Sequence, residues 1–476
     1  MRFTKFGKAL SIGALSAGVI CGVTSCVESY TVGYFYVTGT VTASSGSNGI
    51  ISGYKIDHNT GKLTSINGLP VSSGGANPVR AVLTIGSRFL YVLNRGVNAA
   101  GNGNCYGVTT ASCQNANITE FAVGGNGILT PQETFYTQGL NPFRLIVDST
   151  GNYLMVLDHD APDNVSPTST DNCARALGTL GTSSPVQTCG DITVFSINQT
   201  TGRLSLVVNS QVTAASGTAL TYFPVPANPV DFVLTGQFVL TLTGAPTPAS
   251  YPYTSATSVW PYSYSGSNGQ LTLSQNSAQR LITTSTTSGF VAQANAIVNA
   301  NNVIYVLDNE PVTIVCGSTT CPFPAGAYPS QILPYTVGNG GALQAEPSGV
   351  FPDTATLANP IQILIESKNS HLYVANLGNN TTGNNPESGI AGYTIFTAPS
   401  YQLQFIPEQP FPSGSGPQCI VEDPSSQFVY EANQYDSTIT GRTLDPNTGD
   451  LNPMRSTSTY SLQGPATWCL MDGRTG

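Results

Sequence analysis

Charge is the scarcest resource in this chain. Of 476 residues only 9% are charged, His occurs three times and Trp twice. Arg2, Lys5 and Lys8 sit in the leader, so the remainder of the chain carries 13 basic against 25 acidic residues, and that balance excludes nucleic acid as a partner. With so few His and no C-x-x-C, a zinc site has no ligand set, and the Asp158–Asp163 stretch does not match the spacing of a calcium-binding EF-hand loop. No metal and no cofactor is expected. No P-loop, zincin motif or Ser-His-Asp order appears, which removes the common nucleotide-binding and hydrolytic motifs. Past the first 26 residues there is no apolar stretch long enough to cross a bilayer.

The residues that are plentiful point elsewhere. Gly (50), Pro (32), Tyr (22) and Phe (18), with 40% apolar residues, combine turn formers with ample core material, the mixture of many short strands. The opening segment is a targeting signal: the three basic residues precede an apolar run, Ala9 to Val23, of about 15 residues, shorter than the ~20 a spanning helix needs. It ends Val23-Thr24-Ser25-Cys26, which resembles a bacterial lipobox with Cys26 as the lipidated residue; an ordinary signal peptide cut nearby is the alternative. The expected division is a signal peptide over 1–25, a tether over 26–32 and one domain over 33–476. The expected location is the bacterial cell envelope, with the lipid as the only membrane attachment.

Eight further cysteines form an even set, which in an exported chain reads as disulfides. Spacing does not dictate pairing, but Cys105–Cys113, Cys173–Cys189 and Cys316–Cys321 are the economical local pairs, leaving Cys419 with Cys469.

Internal repetition decides the fold. An alternating run with a central aromatic begins at Ile51, Ile118, Ile192, Val259, Ile332 and Ile390, and a seventh, without the aromatic, at Ile439. A Gly-x-Leu turn comes next at Gly61, Gly127, Gly202, Gly269, Gly341 and Gly449, while the fifth unit has Tyr401-Gln402-Leu403 instead. A second tag precedes: Asn77-Pro78, Asn141-Pro142, Asn228-Pro229, Asn359-Pro360, Gly416-Pro417 and Gly464-Pro465 each open an apolar strand. Another strand then ends in YVLN, MVLD, YVLD, YVAN or YEAN, at Asn94, Asp158, Asp308, Asn376 and Asn433. Four of these steps, from Asn77, Asn141, Asn359 and Gly416, span 17 residues each. Four two-faced strands at a period of about 65 residues make the blade of a β-propeller. The C-terminal strand, after Gly464-Pro465, completes the blade that Tyr34 to Gly39 begins, so six whole blades and one composite blade make an all-β, seven-bladed ring of four-stranded antiparallel sheets.

These tags resemble the seven-bladed lactonase-like propeller family, which includes a 6-phosphogluconolactonase and fungal muconate-lactonising enzymes. The resemblance covers roughly residues 33–476 and implies a lactone hydrolase. Enzymes of that family often carry His or Arg two places after the inner-strand Pro; here those places hold Arg80, Arg144, Asp231, Gln362, Cys419 and Thr467. Arg80 and Arg144 are the groups that would polarise a lactone carbonyl. His159, in the cluster Asp158-His159-Asp160, is the candidate general base, with Asp158 or Asp160 to orient it. His58 and His371 read as solvated turn residues. The stapled insertions all leave one rim, and that rim, with Asn94, Arg95, Asp308, Asn376 and Asn433, is expected to hold a small molecule, a glycan or an envelope protein on a monomeric scaffold. Ligand binding is thus the leading expectation, and lactone hydrolysis its alternative.

Overall fold

The computed structural model describes residues 30–43, 46–97, 115–162, 171–180, 186, 188–244, 257–274, 280–281, 294–301, 303–309, 330–346, 351–353, 355–378, 388–398, 401–455 and 457–473. Cys26, Cys105, Cys113, Asp163, Cys316 and Cys321 lie outside them.

Seven antiparallel sheets succeed one another, each running from an inner first strand to an outer fourth. Blade 1 begins with Pro78–Leu83, blade 2 with Leu140–Val147, blade 3 with Pro229–Thr235, blade 4 with Ala294–Ala300, blade 5 with Pro360–Ile365 and blade 6 with Pro417–Glu422. Blade 7 is composite: Ala466–Asp472 is its inner strand and pairs with Thr31–Ala43. The ring therefore closes by hydrogen bonds between the two ends of the described chain, leaving no open sheet edge at the seam. In five sheets an extra short strand on the way to the next blade pairs with the third strand. One short helix, Asp171–Leu177, lies in the blade 2 insertion. No described helix is long and apolar enough to cross a membrane.

The buried apolar side chains fall into seven clusters, one at each blade–blade interface. An eighth lies beneath the helix, around Cys173, Cys189, Leu177 and Tyr222. Strand alternation explains this division, because both faces of every sheet meet a neighbour.

The repeated tags are the two halves of one inter-blade lock. The tyrosine hydroxyl of a second strand donates to the carbonyl of the Gly-x-Leu turn in the next blade: Tyr36 to Gly127, Tyr91 to Gly202, Tyr373 to Gly449 and Tyr430 to Gly61. Those glycines have φ between +68° and +81°, and a Cβ on each would strike the first aromatic of the preceding blade's second strand, Phe89 in the case of Gly202 and Phe428 in that of Gly61. In blade 5 Tyr401 takes the position at φ +43° and its carbonyl accepts from Tyr305 at 3.4 Å. His371 fills the aromatic slot against Gly449 and is buried, so it is not a solvated turn residue. His58 is partly covered by Tyr30, stacked on it at 4.3 Å.

The Asn-Pro tag has a similar cause. Asn77, Asn141, Asn228 and Asn359 all hold left-handed backbone, the conformation Asn tolerates best after Gly, and Gly416 takes it in blade 6. From there Asn77 Nδ2 donates to the Gly96 carbonyl at 2.6 Å and Asn359 Nδ2 to that of Gly378 at 3.2 Å, tying the entry of the first strand to the exit of the second.

Two disulfides are present in the described residues, Cys173–Cys189 and Cys419–Cys469. The second joins the inner strands of blades 6 and 7 beside the seam. Structural disulfides belong to an oxidising compartment, outside the cytoplasm.

Candidate functional site

Every inner strand carries a β-bulge just after its entry, and the bulge determines which side chain faces the neighbouring inner strand. The residues that resume the register are Arg80, Arg144, Asp231, Ala296, Gln362, Cys419 and Trp468. Five of them, Arg80, Arg144, Asp231, Gln362 and Cys419, are the positions expected from sequence, and Ala296 fills the place in blade 4, which has no Asn-Pro tag. In blade 7 the bulge falls so that Trp468, not Thr467, occupies the equivalent place, opposite Thr38; Thr467 instead hydrogen-bonds the Thr38 hydroxyl at 2.9 Å.

Together these residues form a belt around the hub. Arg144 Nε contacts Asp231 Oδ1 at 3.1 Å, linking blades 2 and 3. Asp231 Oδ2 accepts from the Ile297 N–H at 3.1 Å, reaching blade 4. Asn295 Nδ2 donates to the Pro360 carbonyl at 3.0 Å, and Gln362 Oε1 accepts from the Ile420 N–H at 2.7 Å. Cys419–Cys469 continues the belt into blade 7, where the Arg80 guanidinium lies 3.4 Å from the centroid of the Trp468 ring. Between blades 1 and 2 the belt differs in kind: Arg80 and Arg144 are electrostatic neighbours of like charge.

A third cation stands beside them. Arg95, just past the second strand of blade 1, is buried, and both Arg144 and Asp160 act on it electrostatically. Burial first, then Arg144, pushes its guanidinium down to about 10, with Asp160 opposing. Burial and Arg144 press Arg80 well below its ordinary value in the same way, with Asp231 opposing. Arginine keeps its proton at neutral pH under such a load. The load records a cluster of three guanidinium groups facing two carboxylates, in which a further negative charge would be welcome.

His159 stands on the same rim. Its Nδ1 lies 3.0 Å from Asp160 Oδ2, and the imidazole side chain is 13% exposed and the carboxylate 32%, so both reach solvent. Asn141 Nδ2 holds the same Asp160 oxygen at 2.8 Å. The ring of Phe143 lies between this pair and the arginines, 6.5 Å from the imidazole and 5.4 Å from the Arg144 guanidinium carbon. Asp160, rather than Asp158, is therefore the partner in contact with His159. Asp158 points into the blade, fully buried.

Asn94, Asp308, Asn376 and Asn433 are fully buried as well. Asn94 exchanges hydrogen bonds with Ser73 and donates to Asn117 Oδ1 at 2.9 Å, and Asn433 donates to Thr438 and Thr440 at 3.1 Å each. These side chains close the ends of their own blades. Sequence alternation could not reveal this, because a rim position and a sealed strand end have the same spacing. Among the described residues no cluster of three or more His, Cys, Asp or Glu could hold a metal.

Residues 47–191 match the family model described as "Lactonase, 7-bladed beta-propeller". Among solved structures, the chain is similar to a periplasmic gluconolactonase of Pseudomonas aeruginosa, at 15% identity and TM-score 0.57, covering 92% of this chain and 99% of that one. It is also similar to provisionally assigned 6-phosphogluconolactonases of Bacteroides fragilis and Bacteroides uniformis. The first is 14% identical at TM-score 0.57, covering 92% and 98% of the two chains; the second is 13% identical at 0.59, covering 92% and 99%. No curated protein sequence matches it. At such identities the structural likeness establishes the fold, and the matched segment holds Arg80, Arg95, Arg144, His159 and Asp160. The chain is thus a seven-bladed β-propeller, with a match to the lactonase propeller family over residues 47–191.

Proposed function

We propose that this protein hydrolyses lactones at the blade 1–2 junction of the hub. The observation that carries the reading is the juxtaposition of Arg80, Arg95 and Arg144 with a solvent-reaching His159–Asp160 pair on one rim. The family match supports hydrolysis more than a purely ligand-binding scaffold. The gluconolactonase likeness and the disulfides support work outside the cytoplasm, and the Cys26 lipobox supports a lipid tether there.

In this reading the arginines hold the lactone carbonyl oxygen, and His159 Nε2 takes a proton from water as its oxygen attacks the carbonyl carbon. Asp160 at Nδ1 keeps the ring oriented and stabilises the imidazolium. The tetrahedral oxyanion lies against the guanidinium groups. On its collapse the ring C–O bond breaks, the leaving alkoxide takes the proton from His159, and the new acid loses its own proton to water. The product is a hydroxy-carboxylate. An uncharged sugar lactone fits best, since three arginines already shared with two carboxylates would cradle one carboxylate rather than a dianionic phosphate.

The test is a hydrolysis assay with the mature chain on a panel of aldonolactones with and without a phosphate. Arg144→Ala and His159→Ala are each expected to lower kcat/KM by about 100-fold or more while the fold is kept, in line with the loss of one oxyanion donor or one general base. No hydrolysis across the panel, or full activity in both variants, overturns the proposal.

A further inference from the structure

At the base of the blade 2 insertion two carboxyl groups face each other out of reach of solvent. Asp158 lies near the end of the second strand, Tyr153–Asp160, and Asp191 lies in the third, directly paired with it in register, and both are fully buried. Their side chains are hydrogen-bonded to each other. The Thr193 hydroxyl lies 3.2 Å from Oδ2 of each, and its own oxygen accepts from the Gln138 N–H at 3.0 Å. The Thr137 hydroxyl, next to this pair, donates to the Gly139 carbonyl at 3.4 Å. Gly139 is packed so closely that a Cβ there would strike Asp191 Oδ1.

Several charged groups described on the surrounding elements are engaged elsewhere. Arg144 on the inner strand pairs with Asp231, His159 and Asp160 on the second strand pair with each other, and Arg175 on the short helix is exposed. Among the described residues no ion pair reaches Asp158. Two carboxylates side by side in a buried site cannot both ionise. The Thr193 hydroxyl has a single proton to give, so it can serve only one of the two carboxyls at a time. In blade 1 the equivalent positions are the neutral amides Asn94 and Asn117, bonded at 2.9 Å.

We propose that Asp158 and Asp191 share a single proton at neutral pH, and that this proton is a clasp closing the base of the insertion beside His159. The clasp is independent of what the site hydrolyses. Burial holds the Asp158 carboxyl up at about 8, against an ordinary carboxylate value near 4. The folded chain therefore binds more protons than the unfolded one between about pH 4 and pH 8, and stability falls across that window before levelling off. In the native protein the clasp itself lets go above about pH 8.

The experiment compares the full mature chain with Asp158→Asn, which copies the amide of blade 1. Infrared spectra at pH 7 are expected to show the C=O stretch of a protonated carboxylic acid that the variant lacks. The Tm of the variant minus that of the parent is expected to rise from pH 5 to pH 8 and stay level above. If Asp158→Asn does not fold, Asp191→Asn carries the same two measurements. No acid band and a flat Tm difference overturn the proposal. So does a Tm that added calcium raises in the parent alone, since a cation would then hold the pair.

Discussion

Trp468 is one of only two tryptophans, and its ring carries the Arg80 guanidinium at 3.4 Å, on the inner strand where the belt meets the like-charged junction. A stacked arginine at a half-buried site contributes about 1 kcal/mol through the ring face and leaves its N–H edge for an oxygen acceptor. The other tryptophan, Trp260, is buried and donates to the Thr243 hydroxyl at 3.3 Å. Emission changes on ligand binding are therefore expected to come from Trp468. Titration with an aldonate should shift the fluorescence of the parent and leave Trp468→Phe unchanged. An equal response in both would place the ligand away from Arg80.

Among the recurring elements, the Tyr-to-Gly-turn lock shows how a position that reads as a solvated turn in sequence can serve packing between blades. His371 stands where other blades put Tyr or Phe against the glycine turn, and burial pushes its imidazole below the ordinary value, with Glu366, 3.8 Å from Nδ1, opposing. A histidine held neutral in the fold charges more readily once unfolded. Its contribution is complete above the unfolded value near 6.5 and is lost as pH falls through the folded one. His371→Phe, matching Phe428 and Phe89, is expected to leave the Tm near pH 8 little changed and to raise it at pH 5. Thermal unfolding of the two proteins across that range measures the difference, and a gain independent of pH would assign the effect to packing alone.

Ring closure governs the whole molecule. Hydrogen bonds between Thr31–Ala43 and Ala466–Asp472 close blade 7, and Cys419–Cys469 staples that blade to blade 6. The staple encloses a sequence separation of 50, which the chain-entropy account values at about 4 kcal/mol against the unfolded chain. A Cys419→Ser, Cys469→Ser double variant is expected to fold, since the seven interfacial clusters and the strand pairing remain, and to unfold several degrees lower. Reductant should lower the Tm of the parent toward that of the variant. A variant as stable as its parent would show that the seam holds without the bond.

The blade count, the composite seventh blade and the repeated tags were legible in the sequence, because they rest on local patterns: alternation, positive-φ residues at turns and a constant 17-residue step. Tertiary structure decided what no local pattern encodes. A bulge moves the blade 7 belt position by one residue, from Thr467 to Trp468. Strand register sets Asp158 against Asp191 and turns Asp158 away from His159, leaving Asp160 as its partner. Closure of the ring seals Asn94, Asp308, Asn376 and Asn433 inside their blades while bringing Arg80, Arg95 and Arg144 to one junction. Spacing along a strand says which face a side chain takes; only the packing of neighbouring blades says whether that face meets solvent, a carboxylate or another cation.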